Sequence, residues 1–193
     1  MRLRRKETEI KLALSGTASL RPRLRQLRFR VVQRRSFEQN TLFDTAHRLL
    51  RRRGCMLRLR SVTGRHCLTF KGPGDRSRQY KVRAEFEAEL SNAPAARAIL
   101  AGLGFHPIFR YEKFRTVYAG RGRWQGGEVM LDETPIGAFV ELEGSRAWIR
   151  RLARALGAGP GSFITKTYAA LYVDWCRRRR RPVRNMIFGR IST

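Results

Sequence analysis

Glu7, Glu9 and Lys11 are separated by single residues near the N-terminus. Read as a strand, the segment 7–12 puts these three on one face and Thr8, Ile10 and Leu12 on the other. Two carboxylates and an ammonium facing the same way make a poor core. They make a good wall for a hydrated cavity that holds a metal and an anion together. The rest of the chain repeats the choice. Residues of matching parity supply the bases Lys11, Arg58, Arg60, Lys71, Arg83, Lys113 and Arg115, and the acids Glu7, Glu9, Glu85, Glu87, Glu141 and Glu143, with Asp132 joining them. Arg forks and Lys point charges are natural partners of phosphate oxygens. Clustered carboxylates suit Mg2+ or Mn2+, hard cations that bridge to substrate phosphates. A binder of polyphosphate alone would need the bases without the acids, so the two sets together point to metal-assisted phosphoryl chemistry.

These side chains need strands to align them. Residues 4–14 read as the first strand and 19–27 as a short helix with Pro22 in its first turn. Weak alternation over 29–37 and a strand over 40–45 precede a helical turn at 48–53, closed by Gly54. Residues 56–62 and 67–71 alternate cleanly as a hairpin across Gly64 and Arg65, and the Gly/Pro-rich stretch 72–78 is an exposed connection. The longest alternating run is 79–90, with Arg83, Glu85, Glu87 and Glu89 on one face and Val82, Ala84, Phe86, Ala88 and Leu90 on the other. Then come a helix over 94–103 between Pro94 and Gly104, a strand over 108–118, strands over 128–132 and 138–143, and helices over 145–156 and 165–175. Residues 177–181 are a run of Arg, and 182–193 read as a weakly structured tail. Seven or eight antiparallel strands with three or four helices predict an α+β fold. Because every strand gathers charges of both signs on one face and apolar residues on the other, the sheet is expected to close into a barrel with a polar lumen and helices outside.

A chain of 193 residues is long enough for a real core. One domain is expected over residues 1–176, followed by a basic tail at 177–193, with no fused partner domain. No window is apolar for long enough to span a membrane, and the basic N-terminus leads into no apolar run, so no signal peptide and a cytoplasmic location are expected. Three cysteines without C-x-x-C spacing read as reduced thiols, with no structural zinc. The net charge is +27, and 36 of the 42 basic residues are Arg. That excess admits weak binding of nucleic acid or polyphosphate through the basic surface, centred on the tail 177–190. The Arg runs at 51–53 and 177–181 break the strand alternation and read as solvated surface. Monomer and homodimer are equally compatible with the sequence.

With these residues in view, the chain resembles the CYTH superfamily, also called triphosphate tunnel metalloenzymes. Glu7-x-Glu9-x-Lys11 matches its ExExK signature. In order follow Leu42-Phe43-Asp44-Thr45, then Leu50 and Gly54 ahead of Leu57-Arg58-Leu59-Arg60, Leu68-Thr69-Phe70-Lys71-Gly72-Pro73, Arg83-x-Glu85-x-Glu87, Lys113-Phe114-Arg115-Thr116-Val117-Tyr118, Leu131-Asp132 and Phe139-Val140-Glu141-Leu142-Glu143-Gly144. The resemblance spans roughly residues 5–175. It implies an eight-stranded antiparallel barrel forming a tunnel, with Glu7, Glu9, Asp132, Glu141 and Glu143 holding one or two Mg2+ or Mn2+ ions and the seven bases gripping a triphosphate. It also implies that Lys166 lies over the tunnel. Leu42 stands where relatives often carry Tyr, so no hydroxyl is supplied there. Triphosphatases and class IV adenylyl cyclases share this pattern. The leading expectation is metal-dependent hydrolysis of a linear triphosphate, inorganic or organic, with Glu7, Glu9 and Lys11 catalytic. A cyclase making cyclic AMP and pyrophosphate from ATP is the runner-up, and a non-catalytic binder of polyphosphate or nucleic acid is the alternative of another class.

Overall fold

In the computed structural model, which describes residues 2–18, 20–75 and 79–189 (for 2–5 the backbone only), eight strands close into one antiparallel barrel. The strands are β1 (Arg2–Leu14), β2 (Phe29–Asp44), β3 (Met56–Val62), β4 (Arg65–Lys71), β5 (Lys81–Leu90), β6 (His106–Gly120), β7 (Gly127–Thr134) and β8 (Gly137–Gly144). Around the barrel they run β1-β5-β4-β3-β2-β6-β7-β8. Five helices lie outside: α1 (Leu20–Gln26), α2 (Leu49–Arg52), α3 (Ala93–Gly102), α4 (Arg146–Ala155) and α5 (Tyr168–Arg178). No helix among the described residues is long and apolar enough to cross a membrane.

Period-two alternation is what makes closure favourable. The outward faces of β1, β7 and β8 bury Ile10, Leu12, Val129, Leu131, Val140 and Leu142 against Trp148, Ile149 and Leu152 of α4. The Ser145 hydroxyl starts that helix by accepting a hydrogen bond from the Trp148 amide at 3.2 Å. A second cluster joins Phe43, Leu57 and Leu59 to Leu50 of α2 and to Ala93 and Leu100 of α3. Each such side chain removed from water contributes about 1.5–3 kcal/mol, so the wall outside the barrel carries the stability and leaves the lumen free to be polar. Asp44, from the LFDT stretch, is a structural residue. Its carboxylate accepts from the amides of Thr45 (2.8 Å), Leu50 (2.9 Å) and Arg51 (3.0 Å), tying α2 to the end of β2.

A third cluster closes one end of the barrel. Tyr168 and Tyr172 of α5 pack with Tyr111, Phe139 and Met186, flanked by Leu42, Phe109, Ile164 and Trp175. Lys11 and Ile164 exchange both backbone hydrogen bonds at 2.9 Å, which fixes the approach to α5.

Three segments differ from the sequence expectation. The weak run 29–37 and the strand 40–45 are one sixteen-residue strand, interrupted by irregularities between Val31 and Gln33 and between Gln33 and Ser36 that spoil simple alternation. The helix expected over 165–175 runs Tyr168–Arg178 instead, because the Thr167 hydroxyl caps it by accepting from the Ala170 amide. The segment expected to be weakly structured is anchored: Asn185 Oδ1 accepts from the Arg110 amide at 2.8 Å, Met186 bridges Tyr111 and is fully buried, and the Phe188 amide donates to Glu112 Oε2 at 3.2 Å. Ser19 of the expected first helix, residues 76–78 of the exposed connection and residues 190–193 of the tail lie outside the described residues.

Gly127 is where the α4 packing is tightest. A Cβ there would lie 2.6 Å from the Trp148 ring and 2.7 Å from the Glu143 carbonyl oxygen, whereas one at Gly102 meets nothing within 4 Å. Gly127→Ala is therefore expected to destabilise the barrel by about 1–3 kcal/mol, read as a lower urea midpoint, while Gly102→Ala leaves the midpoint unchanged or slightly raised. Equal effects of the two would contradict this packing.

Candidate active site

The lumen is a cavity of about 250 Å³ lined by eight carboxylates and seven bases. Strand register sets opposite charges directly across from each other. Glu9 faces Lys81 and Glu7 faces Arg83 between β1 and β5, and Lys71 faces Glu85 between β4 and β5. Glu38 faces Lys113 between β2 and β6, Arg115 faces Asp132 between β6 and β7, and Lys11 faces Glu141 between β1 and β8. Cross-strand pairs of this kind are the local unit of sheet stabilisation. Strand β3 is the exception: Arg58 stands opposite Thr69 and Leu42, and Arg60 opposite Cys67 and Asn40.

The side chains follow the register. Lys71 Nζ lies 2.7 Å from both Glu7 Oε2 and Glu85 Oε2. Lys11 Nζ lies 3.0 Å from Glu141 and 3.4 Å from Glu9, which also holds Lys81. Asp132 is fully buried and receives Lys113 (2.9 Å), the Arg115 fork (2.6 Å) and the Tyr168 hydroxyl (2.6 Å), while Arg115 also reaches Glu141. Arg58 and Arg60 have only distant acids: Glu85 and Glu87 at 3.8 Å from Arg58, and Glu38 at 3.8 Å from Arg60. Among the described residues Arg58 Nε is buried with no hydrogen-bond partner. Side-chain exposure rises from 0% at Asp132 and 2% at Lys11 and Lys113 to 23% at Arg60 and 39% at Glu87. The cavity is thus closed at the Tyr168 end and opens past Arg60 and Glu87.

These contacts set the protonation states. Burial opposes ionisation of Glu9, but Lys11 and Lys81 overcome it and hold the carboxyl well below its usual range. Glu141 is likewise held well down against burial by Lys11 and Arg115. Burial works against Lys11 too, yet Glu141 and Glu9 raise its pKa. Lys81 goes the other way: burial outweighs Glu9, and Lys11 and Lys71 repel it, so it falls to about 8. Burial and the hydrogen bond with the Glu7 carboxyl push Glu85 up to about 8. Glu38, despite burial, is brought down to about 2 by Lys113, Arg115 and Arg60.

Of the residues singled out in the sequence, Glu7, Glu9, Lys11, Arg58, Arg60, Lys71, Glu85, Glu87, Lys113, Arg115, Glu141 and Glu143 all line this one cavity. Three are placed elsewhere. Asp132 lies beneath the wall, saturated by its three donors. Arg83 turns towards Gly74 and borders a small recess with Lys71 and Lys81. Lys166 precedes α5, is 59% exposed and pairs with Asp174 outside the cavity. Sequence reading missed Glu38, Lys81 and Glu128, and the two ring-bearing residues at the closed end, Tyr111 and Tyr168. A usable signal existed for Lys81. The chain has only six lysines among 42 basic residues, and four of them, Lys11, Lys71, Lys81 and Lys113, face the lumen.

Compared with known protein families, residues 5–168 match the CYTH domain. The chain belongs to the CYTH family. Over 176 residues it is 26% identical to a Methanocaldococcus jannaschii protein named "Putative adenylate cyclase", covering 86% of this chain and 97% of that one. A Vibrio parahaemolyticus structure with the same kind of name superposes with a TM-score of 0.76 at 18% identity, covering 86% and 97% of the two chains. A Hippeastrum protein named "Putative adenylyl cyclase" and described as revealing a dominant triphosphatase activity gives 0.60 at 19% identity, covering 92% and 97%. At these identities the structural likenesses show the fold. CYTH proteins are enzymes acting on triphosphates and generally depend on a divalent metal.

The donors in this CYTH lumen suit such an ion. Glu7 and Glu9 on β1 and Glu141 and Glu143 on β8 offer hard carboxylate oxygens from adjacent strands, with Glu9 directly opposite Glu143. Among the described residues no three acids converge as they stand, because lysines and arginines occupy them. The lumen bases act as stand-in cations.

Two outcomes follow from the buried charges. Asp132→Asn leaves Lys113 and Arg115 short of a counter-charge and should cost about 3–5 kcal/mol in urea unfolding, whereas Lys166→Ala should leave the midpoint in place. Glu38 loses its proton at about 2 when folded and near 4.5 when unfolded. The unfolded chain therefore binds the proton more readily, and the stability Glu38 contributes is present above pH 4.5 and lost as pH falls towards 2. Glu38→Gln should be less stable than the parent at pH 7 by on the order of 3 kcal/mol, and the two unfolding curves should converge as the pH drops through that window. A constant gap would contradict the assignment.

Proposed function

We propose that this CYTH protein hydrolyses a linear triphosphate within the lumen with the help of Mg2+ or Mn2+, and that inorganic tripolyphosphate fits the cavity best. The observation that carries this reading is the arrangement of charge. A dead-ended cavity of about 250 Å³ has carboxylates along β7, β8, β1 and β5, loosely held guanidiniums on β3, and Tyr111 and Tyr168 as its only aromatic lining among the described residues, both at the closed end. A phosphate chain meets bases along its length. Among the described lining residues no ring stands at the open end to stack on a nucleobase.

Charge balance supports the metal. With eight acids and seven bases in the lining, there is no spare positive charge for a triphosphate carrying about four negative charges. The anion can enter only if bases exchange carboxylate oxygens for phosphate oxygens and the freed carboxylates are neutralised. Arg58 and Arg60 are free to take phosphate first, since no carboxylate stands directly opposite them. Lys11, Lys113 and Arg115 grip the terminal phosphoryl at the closed end. Glu7, Glu9, Glu141 and Glu143 would hold the ion, which supplies Lewis-acid polarisation of phosphoryl oxygens. Fixed lysines and arginines in a water-poor lumen then stabilise the charge that builds up as the anhydride bond breaks, and Glu7 or Glu9 orients the attacking water. Asp132 acts as a positioning residue, holding Lys113, Arg115 and Tyr168 in place.

The names of the archaeal and Vibrio relatives point to cyclisation and the description of the Hippeastrum protein to triphosphate hydrolysis, so the test is read by product. With tripolyphosphate and Mg2+ or Mn2+, phosphate release should be abolished by EDTA and reduced about 100-fold or more in Glu9→Gln. With ATP, any products should be ADP and phosphate. Cyclic AMP with pyrophosphate would replace this reading by a cyclase, and turnover of neither substrate above the Glu9→Gln level would sink both.

A further inference from the structure

The lumen lining has one more acid than it has bases, so the whole excess of +27 lies outside it. Five of the outer arginines share a place with a shape. Between α1 and the outer face of β2 and β6 lies a groove of about 510 Å³ lined by Arg21, Arg25, Arg30, Arg34 and Arg35. Arg21 bonds Tyr118, and Arg35 lies 3.5 Å above the Phe114 ring and pairs with Glu133. Among the described residues no carboxylate pairs with Arg25, Arg30 or Arg34.

The strand beneath is unusual as well. β3 pairs with β2 only from Glu38 onwards, so among the described residues the stretch 30–37 has β6 on one side and no strand on the other. Along this stretch Val31 is 50% exposed and Val32 60%, and Phe37 stands partly exposed against Phe114 and Phe188. Unpaired like charges held close together repel, and exposed apolar side chains beside them gain nothing from water. A chain of phosphates carrying flat apolar bases satisfies both features at once. Guanidinium forks bind phosphate oxygens two at a time, guanidinium planes and Phe rings stack on bases, and neither needs a particular sequence. A second copy of the chain docked edge to edge would bring the same arginines face to face.

We infer that this groove binds single-stranded nucleic acid through its backbone, independently of the tunnel. This relocates the polyanion site that the sequence suggests for the Arg run at 177–190. The test is fluorescence anisotropy with a labelled twenty-nucleotide oligouridylate across a salt series, on the full chain. Replacing Arg25, Arg30 and Arg34 together by Gln should weaken binding at least tenfold near physiological salt and lower the slope of log K against log salt by about 2, at about 0.7 for each lost phosphate contact. Replacing Arg177, Arg178 and Arg184 by Gln removes the same charge elsewhere and should change affinity less than twofold. Glu9→Gln should bind as the parent does. A triple Arg→Lys variant of the groove, which keeps the charge, should retain the salt slope but lose affinity, and unchanged thermal midpoints confirm that the comparisons are between folded proteins. The inference is overturned if groove and tail variants weaken binding equally, or if polyglutamate of matched charge competes as well as unlabelled oligonucleotide.

Discussion

Outside β3, the buried charges of the lumen depend on opposite charges standing directly across from them. Removing an ion from water into a protein interior costs several kcal/mol, and only close, well-satisfied pairing compensates. The barrel meets this requirement by register. Between neighbouring strands the pairs Glu9–Lys81, Lys71–Glu85, Glu38–Lys113, Arg115–Asp132 and Lys11–Glu141 are direct cross-strand partners. A slip of one residue in any strand would turn its charges into the apolar outer layer and its aliphatic residues into the lumen. The charged interior and the packed exterior therefore enforce the same alignment.

An interior built this way is prepared for exchange. On the proposed reading, the pairs already hold the lysines and arginines where phosphate oxygens would lie, so little reorganisation would accompany binding, and the carboxylates given up would be the ones left to a cation. Asp132 is different in kind. Three donors saturate it at the closed end, so it works as an anchor for the groups above it. The plug of Tyr168, Tyr172 and Met186 explains why that end is dry and why exposure rises steadily towards Arg60 and Glu87.

Most of this was legible in the sequence because β-strands impose a period of exactly two on both faces at once, and the segments that obey it cleanly, such as 7–12, 56–60 and 139–143, delivered their charges to the lumen. Where local irregularity enters, legibility ends. Glu38 was missed because the irregularities at Gln33 and Ser36 break the alternation of β2 just ahead of it. Asp132 has the right parity, yet parity reports which way a residue points and says nothing of how deep it lies. Lys166 was carried into the site by likeness alone, and a cap at Thr167 that starts α5 two residues later leaves it facing Asp174. The anchoring of Met186 depends on contacts with β6, seventy-five residues away in sequence, which no local pattern encodes.

The irregularity that hid Glu38 also separates two electrostatic environments. Gln33 turns into the tunnel mouth, while its neighbours Arg34 and Arg35 turn outward over the groove beside α1. One strand thus divides an interior whose charges cancel from an exterior whose charges do not. The composition of the chain follows from that division. Lysine, scarce elsewhere, is kept in the lumen, where a compact ammonium can sit between two carboxylates. Arginine covers the outside, where a planar fork can reach a ligand without being buried. A net charge of +27 is therefore no measure of the tunnel, and the chemistry of the lumen would be the same on a neutral surface.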